Sequence, residues 1–217
     1  MTGIVIPDGG TIGSASDTDA IAISSGGVVT TSASIQTDTI SEKTSANGVS
    51  IDGLKVKDYS LMYGSNIGLT VSSDGYVTKP NQPAFRVIVS SAQDVPSDIA
   101  HASRVPFGTE KFDVHHDFGS DLFTAPITGK YQLSFTADIR SLTANDGYIQ
   151  LGIVTSNDDY HAIQDPNGFD GTLTYYQISI SVLADMDAND TAQVKSWING
   201  NTYTLEGETQ FTGCLIC

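Results

Sequence analysis

The sequence predicts an all-β chain: a thin, β-rich amino-terminal stem followed by an antiparallel β-sandwich or jelly roll. Three observations carry this. Apolar residues alternate with polar ones in runs that fit a half-buried strand. Turn-forming clusters of Gly, Asn, Asp and Pro separate those runs. Of 217 residues 21 are Gly and only 16% are charged, a balance that favours short strands and tight turns over helices.

The first 80 residues supply thin strands. Short apolar groups, Ile4-Val5-Ile6, Ile21-Ala22-Ile23 and Val28-Val29, sit between turn signals such as Gly26-Gly27. The clearest local pattern is Val49-Ser50-Ile51-Asp52-Gly53-Leu54-Lys55-Val56. Asp-Gly favours a two-residue type I′ turn, which would pair Ile51 with Leu54 and Val49 with Val56 on one face. Ser50 and Lys55 then share the other. A second Asp-Gly, Asp74-Gly75, lies between Leu69-Thr70-Val71 and Tyr76-Val77-Thr78. The glycine pairs are unevenly spaced and no fixed repeat or heptad emerges, which argues against a solenoid or a coiled coil. So few bulky apolar residues cannot build a core in one copy. Two outcomes remain, disorder or burial of its thin strands against sister chains, and the alternating pattern favours the second, intertwined in an oligomer.

Lys79-Pro80-Asn81-Gln82-Pro83 marks the expected boundary, because the two prolines favour extended backbone and interrupt any ladder. The expected division is 1–80 and 81–217. In the second part Tyr131, Leu133, Phe135, Ala137 and Ile139 form one apolar face. Ile149, Leu151 and Ile153 repeat the alternation, as do Ile178, Ile180 and Val182. Phe85, Val87 and Val89 open this part, and Phe211, Gly213 and Leu215 close it. The turns fall at Ala144-Asn145-Asp146-Gly147, Asp165-Pro166-Asn167-Gly168 and Asp187-Ala188-Asn189-Asp190.

The stretch from Pro83 onward resembles the complement C-one-q globular head, a relative of the tumour-necrosis-factor jelly roll. Pro83-Ala84-Phe85 is similar to that family's first strand. Phe123-Thr124-Ala125-Pro126-Ile127-Thr128-Gly129-Lys130-Tyr131 leads into the core strand in the manner of its F-x-A-P-x-x-G-x-Y-x-F pattern. Asn189-Asp190-Thr191-Ala192-Gln193-Val194 resembles its G-D-x-V turn, with Asn for Gly, and Phe211-Thr212-Gly213-Cys214-Leu215-Ile216 its last strand. In this pattern Pro126 ends a ladder, Gly129 permits a tight corner, and Gly213 admits a neighbouring side chain. The resemblance implies a homotrimeric jelly roll. Asp38 to Thr44, leading to Gly48 through Asp58, resembles stems of tailed-bacteriophage fibres and appendages. That resemblance implies a virion protein exposed on the particle: a head fibre, capsid decoration or short tail fibre. It would dock to other virion proteins through its amino-terminal region and meet a host-surface glycan or protein through its head. The rival expectation is a cellular lectin-like module binding glycan or protein.

Composition narrows the chemistry. A formal charge of −15 repels nucleic acid. No apolar run approaches the roughly 20 residues of a membrane helix, and Met1 to Gly10 lacks the features of a secretory signal, so neither membrane insertion nor a secretory leader is expected. Cys214 and Cys217 have C-x-x-C spacing and the ending fits C-a-a-X, but residues three apart on a strand face opposite ways, and we expect a buried strand here. His115 with Asp113 and Asp117 alternates on one strand face as metal ligands could, yet nothing nearby in the sequence completes a shell, and His101 and His161 lie apart. The run from Asp185 to Asp190 fails the calcium-loop test, with Asp190 where Gly and Ser196 where Glu belong. No cofactor is expected; calcium on a subunit axis is a property of some relatives of the resembled family. There is no G-x-S-x-G elbow and no phosphate-binding glycine motif, and Asp158-Asp159 are adjacent rather than set across a cleft, so no enzyme is expected. Trp197, Tyr175, Tyr176 and Tyr203 are the candidate binding surface, either as a sugar-stacking patch or as cover for a sheet.

Overall fold

A computed structural model describes residues 11–14, 16–31, 34–35, 40–41, 43, 45, 47–95, 104–143, 147–198 and 203–217. The expected Ile4–Ile6 strand, His101, much of the segment from Asp38 to Thr44 and three residues of the turn before Gly147 lie outside them. The described residues are strand and turn, with one 3-10 turn at Pro166–Gly168 and no helix long and apolar enough to cross a membrane. The chain forms two compact units, Met1–Asp58 and Tyr59–Cys217.

The first unit holds a three-stranded antiparallel meander and a hairpin. The meander comprises β1 (Thr11–Ser14), β2 (Asp17–Ile23) and β3 (Val29–Thr31), with Ile12 opposite Ile21 and Ile23 opposite Val29. The hairpin is β4 (Val49–Ile51) with β5 (Leu54–Lys57). Its register is the expected one: Val49 faces Val56, Ser50 faces Lys55 and Ile51 faces Leu54. Asp52 and Gly53 have φ of 48° and 85°, as a type I′ turn requires at both central positions.

The second unit begins with a meander of β6 (Ser60–Tyr63), β7 (Asn66–Val71) and β8 (Val77–Thr78). It repeats β1–β3. The turn at Ser24–Val28 recurs at Ser72–Tyr76 bond for bond. Ser24 and Ser72 donate their N–H to Val28 O (2.9 Å) and Tyr76 O (2.8 Å), and accept from Gly27 N (2.9 Å) and Gly75 N (3.0 Å). Each serine Oγ also accepts from the N–H of Val28 or Tyr76 at 3.0 Å. Gly27 and Gly75 take the left-handed φ of 77° and 83° that closes the turn. This duplication corrects the expectation that no repeat exists. Even glycine spacing was the wrong test, because the two copies preserve pairing positions rather than composition. Asp74-Gly75 accordingly closes a longer turn than a two-residue one.

The rest of this unit is a jelly roll. Its strands are β9 (Ala84–Ile88), β10 (Gln93–Val95), β11 (Thr109–Asp113), β12 (Phe118–Gly119), β13 (Leu122–Thr124), β14 (Gly129–Arg140), β15 (Ile149–Thr155), β16 (Asp159–Gln164), β17 (Tyr176–Met186), β18 (Thr191–Ile198), β19 (Tyr203–Leu205) and β20 (Gln210–Leu215). The larger sheet runs β10-β19-β14-β20-β9-β11, with β17 along the other side of β14, and the smaller runs β12-β13-β18-β15-β16. The chain passes between sheets at β11–β12, β13–β14, β14–β15, β16–β17, β17–β18 and β18–β19, which is the connectivity of a jelly roll.

The alternation read from the sequence is the core. Tyr131, Leu133, Phe135, Ala137 and Ile139 are all fully buried, as are Ile149, Leu151 and Ile153 from the facing sheet. Phe85 stacks on Phe123 with centroids 4.7 Å apart and meets Phe211 edge-on at 5.1 Å. The Tyr131 hydroxyl donates to Ile127 O at 2.7 Å, so the one polar atom of a buried ring is satisfied four residues upstream. Gly213 behaves as expected: a Cβ there would overlap the Phe85 ring. Gly129 does not. Its φ is not left-handed, so it is not a strained corner; a Cβ would meet Cys217 O and Leu215 Cδ1 at 2.6 Å, and close approach of the last strand is what demands glycine.

Candidate functional site

Arg140 ends β14 where the strand leaves the core. Its guanidinium carbon lies 4.0 Å from the centroid of the Tyr175 ring, and Nη2 pairs with Asp138 Oδ2 at 2.7 Å. Asp138 is almost wholly buried, so this ion pair fixes the cation in place. Nη1 is buried with no hydrogen-bond partner. Around this pair a cleft of about 400 Å³ is lined by Ser141, Thr172, Leu173, Thr174, Tyr175 and Glu206 as well as Arg140. Tyr175 is 74% exposed, which leaves the ring face opposite Arg140 open. An aromatic face beside hydroxyls, a carboxylate and an oriented cation can stack on a sugar ring and hydrogen-bond its substituents.

The other three candidate aromatics are placed differently. Tyr176 stands edge-on to Phe169, centroids 5.2 Å apart, and packs against the core. Tyr203 is buried, its hydroxyl bonded to that of Ser196. Burial pushes its pKa up, and the Ser196 hydrogen bond opposes that only in part. Trp197 is 5% exposed and lies edge-on to His161 at 5.7 Å over Gly152, where a Cβ would meet both rings. Trp197 and Tyr203 thus offer no ring face to a ligand. Sequence pattern could not separate them from Tyr175, because aromatics alternate on both faces of a sheet. Arg140 was not singled out in the sequence; its signal was a cation ending a run of core positions.

A second cluster involves the acidic and histidine run for which no metal site was expected. The structure gathers Glu110, Asp113 and His116, one ligand atom from each lying within 4.8 Å of the others, rather than His115, Asp113 and Asp117. His116 takes φ of 60°, which breaks the strand alternation that would put His115, Asp113 and Asp117 on one face. Asp113 is already engaged, accepting from Asp117 N at 3.1 Å and Phe118 N at 2.8 Å. Burial raises the Asp117 pKa first and the Asp113 charge second, while His115 and His116 pull it down.

The acidic turn at Asp187–Asp190 uses its own carboxylate. Asp190 Oδ2 accepts from Asp187 N at 2.7 Å and from Asn157 Nδ2 at 2.6 Å. Asp158 and Asp159 lie at the turn between β15 and β16, with Asp158 O accepting from Thr155 N at 2.9 Å. Both cysteines are free: Cys214 is half-buried in β20, whereas Cys217 is exposed beyond its end, so the expected burial extends only to the first.

No protein-family model matches the sequence, and no curated protein matches it. Among solved structures, the globular domain of zebrafish complement 1qA protein is 16% identical, with 63% of this chain and 98% of that chain covered and a TM-score of 0.46. Murine APRIL is 12% identical, with 63% and 100% covered and a TM-score of 0.45. Both likenesses are of form.

Proposed function

We propose that the chain is a non-enzymatic, homotrimeric structural protein of a tailed-bacteriophage virion, carrying a jelly-roll head for adhesion to a host surface. One observation carries the assembly: the head closes its own core, while the β4–β5 hairpin leaves Ile51, Leu54 and Val56 58%, 47% and 53% exposed on one face. An aliphatic face this open in a thin hairpin is stabilised when sister chains cover it, at roughly 25 cal/mol per Å² of apolar surface removed from water. The virion assignment rests on the resemblance of the region around Asp38 to Asp58 to phage fibre stems, and the amino-terminal region is the docking segment. Residues 1–80 act as the stem and 81–217 as the head.

Adhesion is assigned to the Arg140–Tyr175 cleft, whose open ring and lining hydroxyls and carboxylate suit a glycan. Weak single sites gain strength when three heads engage together. Mass measurement in solution tests the assembly: a trimer is expected, and a monomer at micromolar concentration overturns it. Antibody labelling of purified particles tests the location. Retention of glycan by a protein that never associates with a particle would favour a cellular lectin instead.

A further inference from the structure

We infer that the duplicated meanders β1–β3 and β6–β8 are two copies of one self-association module, each presenting the same aliphatic face to sister chains. This rests on the trimeric reading above and adds which residues make the contact.

Directly paired residues of antiparallel strands share a face, and faces alternate along each strand. In the first copy Ile12, Ile21, Ile23 and Val29 fall on one face, and Thr11, Ala22 and Thr30 on the other. In the second copy Leu61, Leu69, Val71 and Val77 take the matching places, and Ser60, Thr70 and Thr78 the opposite ones. These four paired positions are aliphatic in both copies and the three paired positions facing the other way are small or hydroxyl residues, while Thr31, opposite Ile21, also lies on the aliphatic face and Ile67 of the second copy falls where the first has Asp19. Exposure is matched as well. Val29 is 58% and Val77 59% exposed, and Ile12 and Leu61 are 48% and 39% exposed.

Two copies with different sequences would not both keep aliphatic residues at open positions unless those positions were covered. The occupant must therefore recognise both. A sister chain does so without further design, because it carries both faces itself and symmetry brings equivalent faces together. An unrelated partner would need two matched apolar surfaces. The formal charge of −15 adds that identical chains repel at a distance, so the attraction has to be apolar and short-ranged.

The test uses the full-length protein. Val29→Asp and Val77→Asp place a charge on the aliphatic face of each copy; Thr30→Asp and Thr78→Asp place the same charge at exposed positions of the opposite face. All four positions are solvent-exposed or open in a single chain, so none disturbs the fold of a monomer, and the near-ultraviolet signal of Trp197 reports whether the head remains intact. Sedimentation across a dilution series should show each valine variant dissociating at a concentration at least tenfold higher than the unaltered protein. The double valine variant should be monomeric, and both threonine variants should match the unaltered protein. A trimer indifferent to Val29→Asp and Val77→Asp, or equally weakened by the threonine changes, overturns this inference alone. A monomeric unaltered protein overturns the trimeric reading with it.

Discussion

Asp138 and Arg140, two residues apart on β14, form an ion pair of 2.7 Å whose acid is buried and whose base reaches the surface. The asymmetry sets what each truncation does. Arg140→Ala strands a carboxylate in the interior and should cost about 3–5 kcal/mol. Asp138→Ala frees a cation that can turn into water and should cost less. Thermal unfolding of the two variants checks the order; equal losses would mean that the carboxylate is solvated.

Tyr203 makes alkaline stability measurable. Its folded pKa lies above the ordinary 10.0 because the ring is buried. Below pH 10 the tyrosine is neutral in both states and its contribution is intact. Above that value the unfolded chain ionises and the folded one resists, so stability falls as pH rises. Tyr203→Phe should flatten this alkaline decline while losing about 1–2 kcal/mol at neutral pH, since Ser196 is left without its partner. Tyr131, Tyr160 and Tyr176 shift the same way, so the slope is reduced rather than removed. An unaltered slope would place the Tyr203 hydroxyl in water.

Gly129 and Gly213 should both reject side chains, for steric rather than conformational reasons. Gly213→Ala forces Phe85 and Leu133 aside, and overpacking of this kind costs about 1–3 kcal/mol. Gly129→Val pushes against the backbone at Cys217, which cannot swing away as a ring can, and should be worse. A melting curve unchanged by Gly129→Val would show that β14 does not begin beside the chain's last residues.

Asp117 offers the opposite pH sign to a salt-bridged acid. Its Oδ2 is buried without a hydrogen-bond partner, and its pKa is raised above 3.8. As pH climbs past that value the unfolded carboxyl ionises first, so the folded state loses stability. Asp117→Asn should therefore raise the melting temperature at pH 7, and the gain should vanish below about pH 4. A gain that persists in acid would assign the effect to packing instead of charge.

Much of the head was legible because a strand buried on one face writes its period into the sequence. Five apolar residues from Tyr131 to Ile139 cannot be placed any other way, and the Asp52-Gly53 hairpin follows from turn stereochemistry alone. What stayed hidden depended on partners distant in sequence. Glycine at position 129 is explained by Cys217, and nothing local announces that contact. The aromatic candidates looked alike because Tyr175 and Trp197 differ in what lies above them, not in their own pattern. The duplicated meander escaped notice because its copies share hydrogen bonds and side-chain character while few letters coincide.

The placement of β20 governs the order in which this molecule can be made. It lies between β9 and β14, so the middle of the larger sheet is synthesised after its neighbours on both sides. Until Phe211 and Gly213 emerge, Phe85 lacks its edge-on partner from the last strand and two long edges stand open. The ribosome thus delivers the amino-terminal modules well before the head can shut, and nascent chains on one message would have time to find each other by their thin ends first.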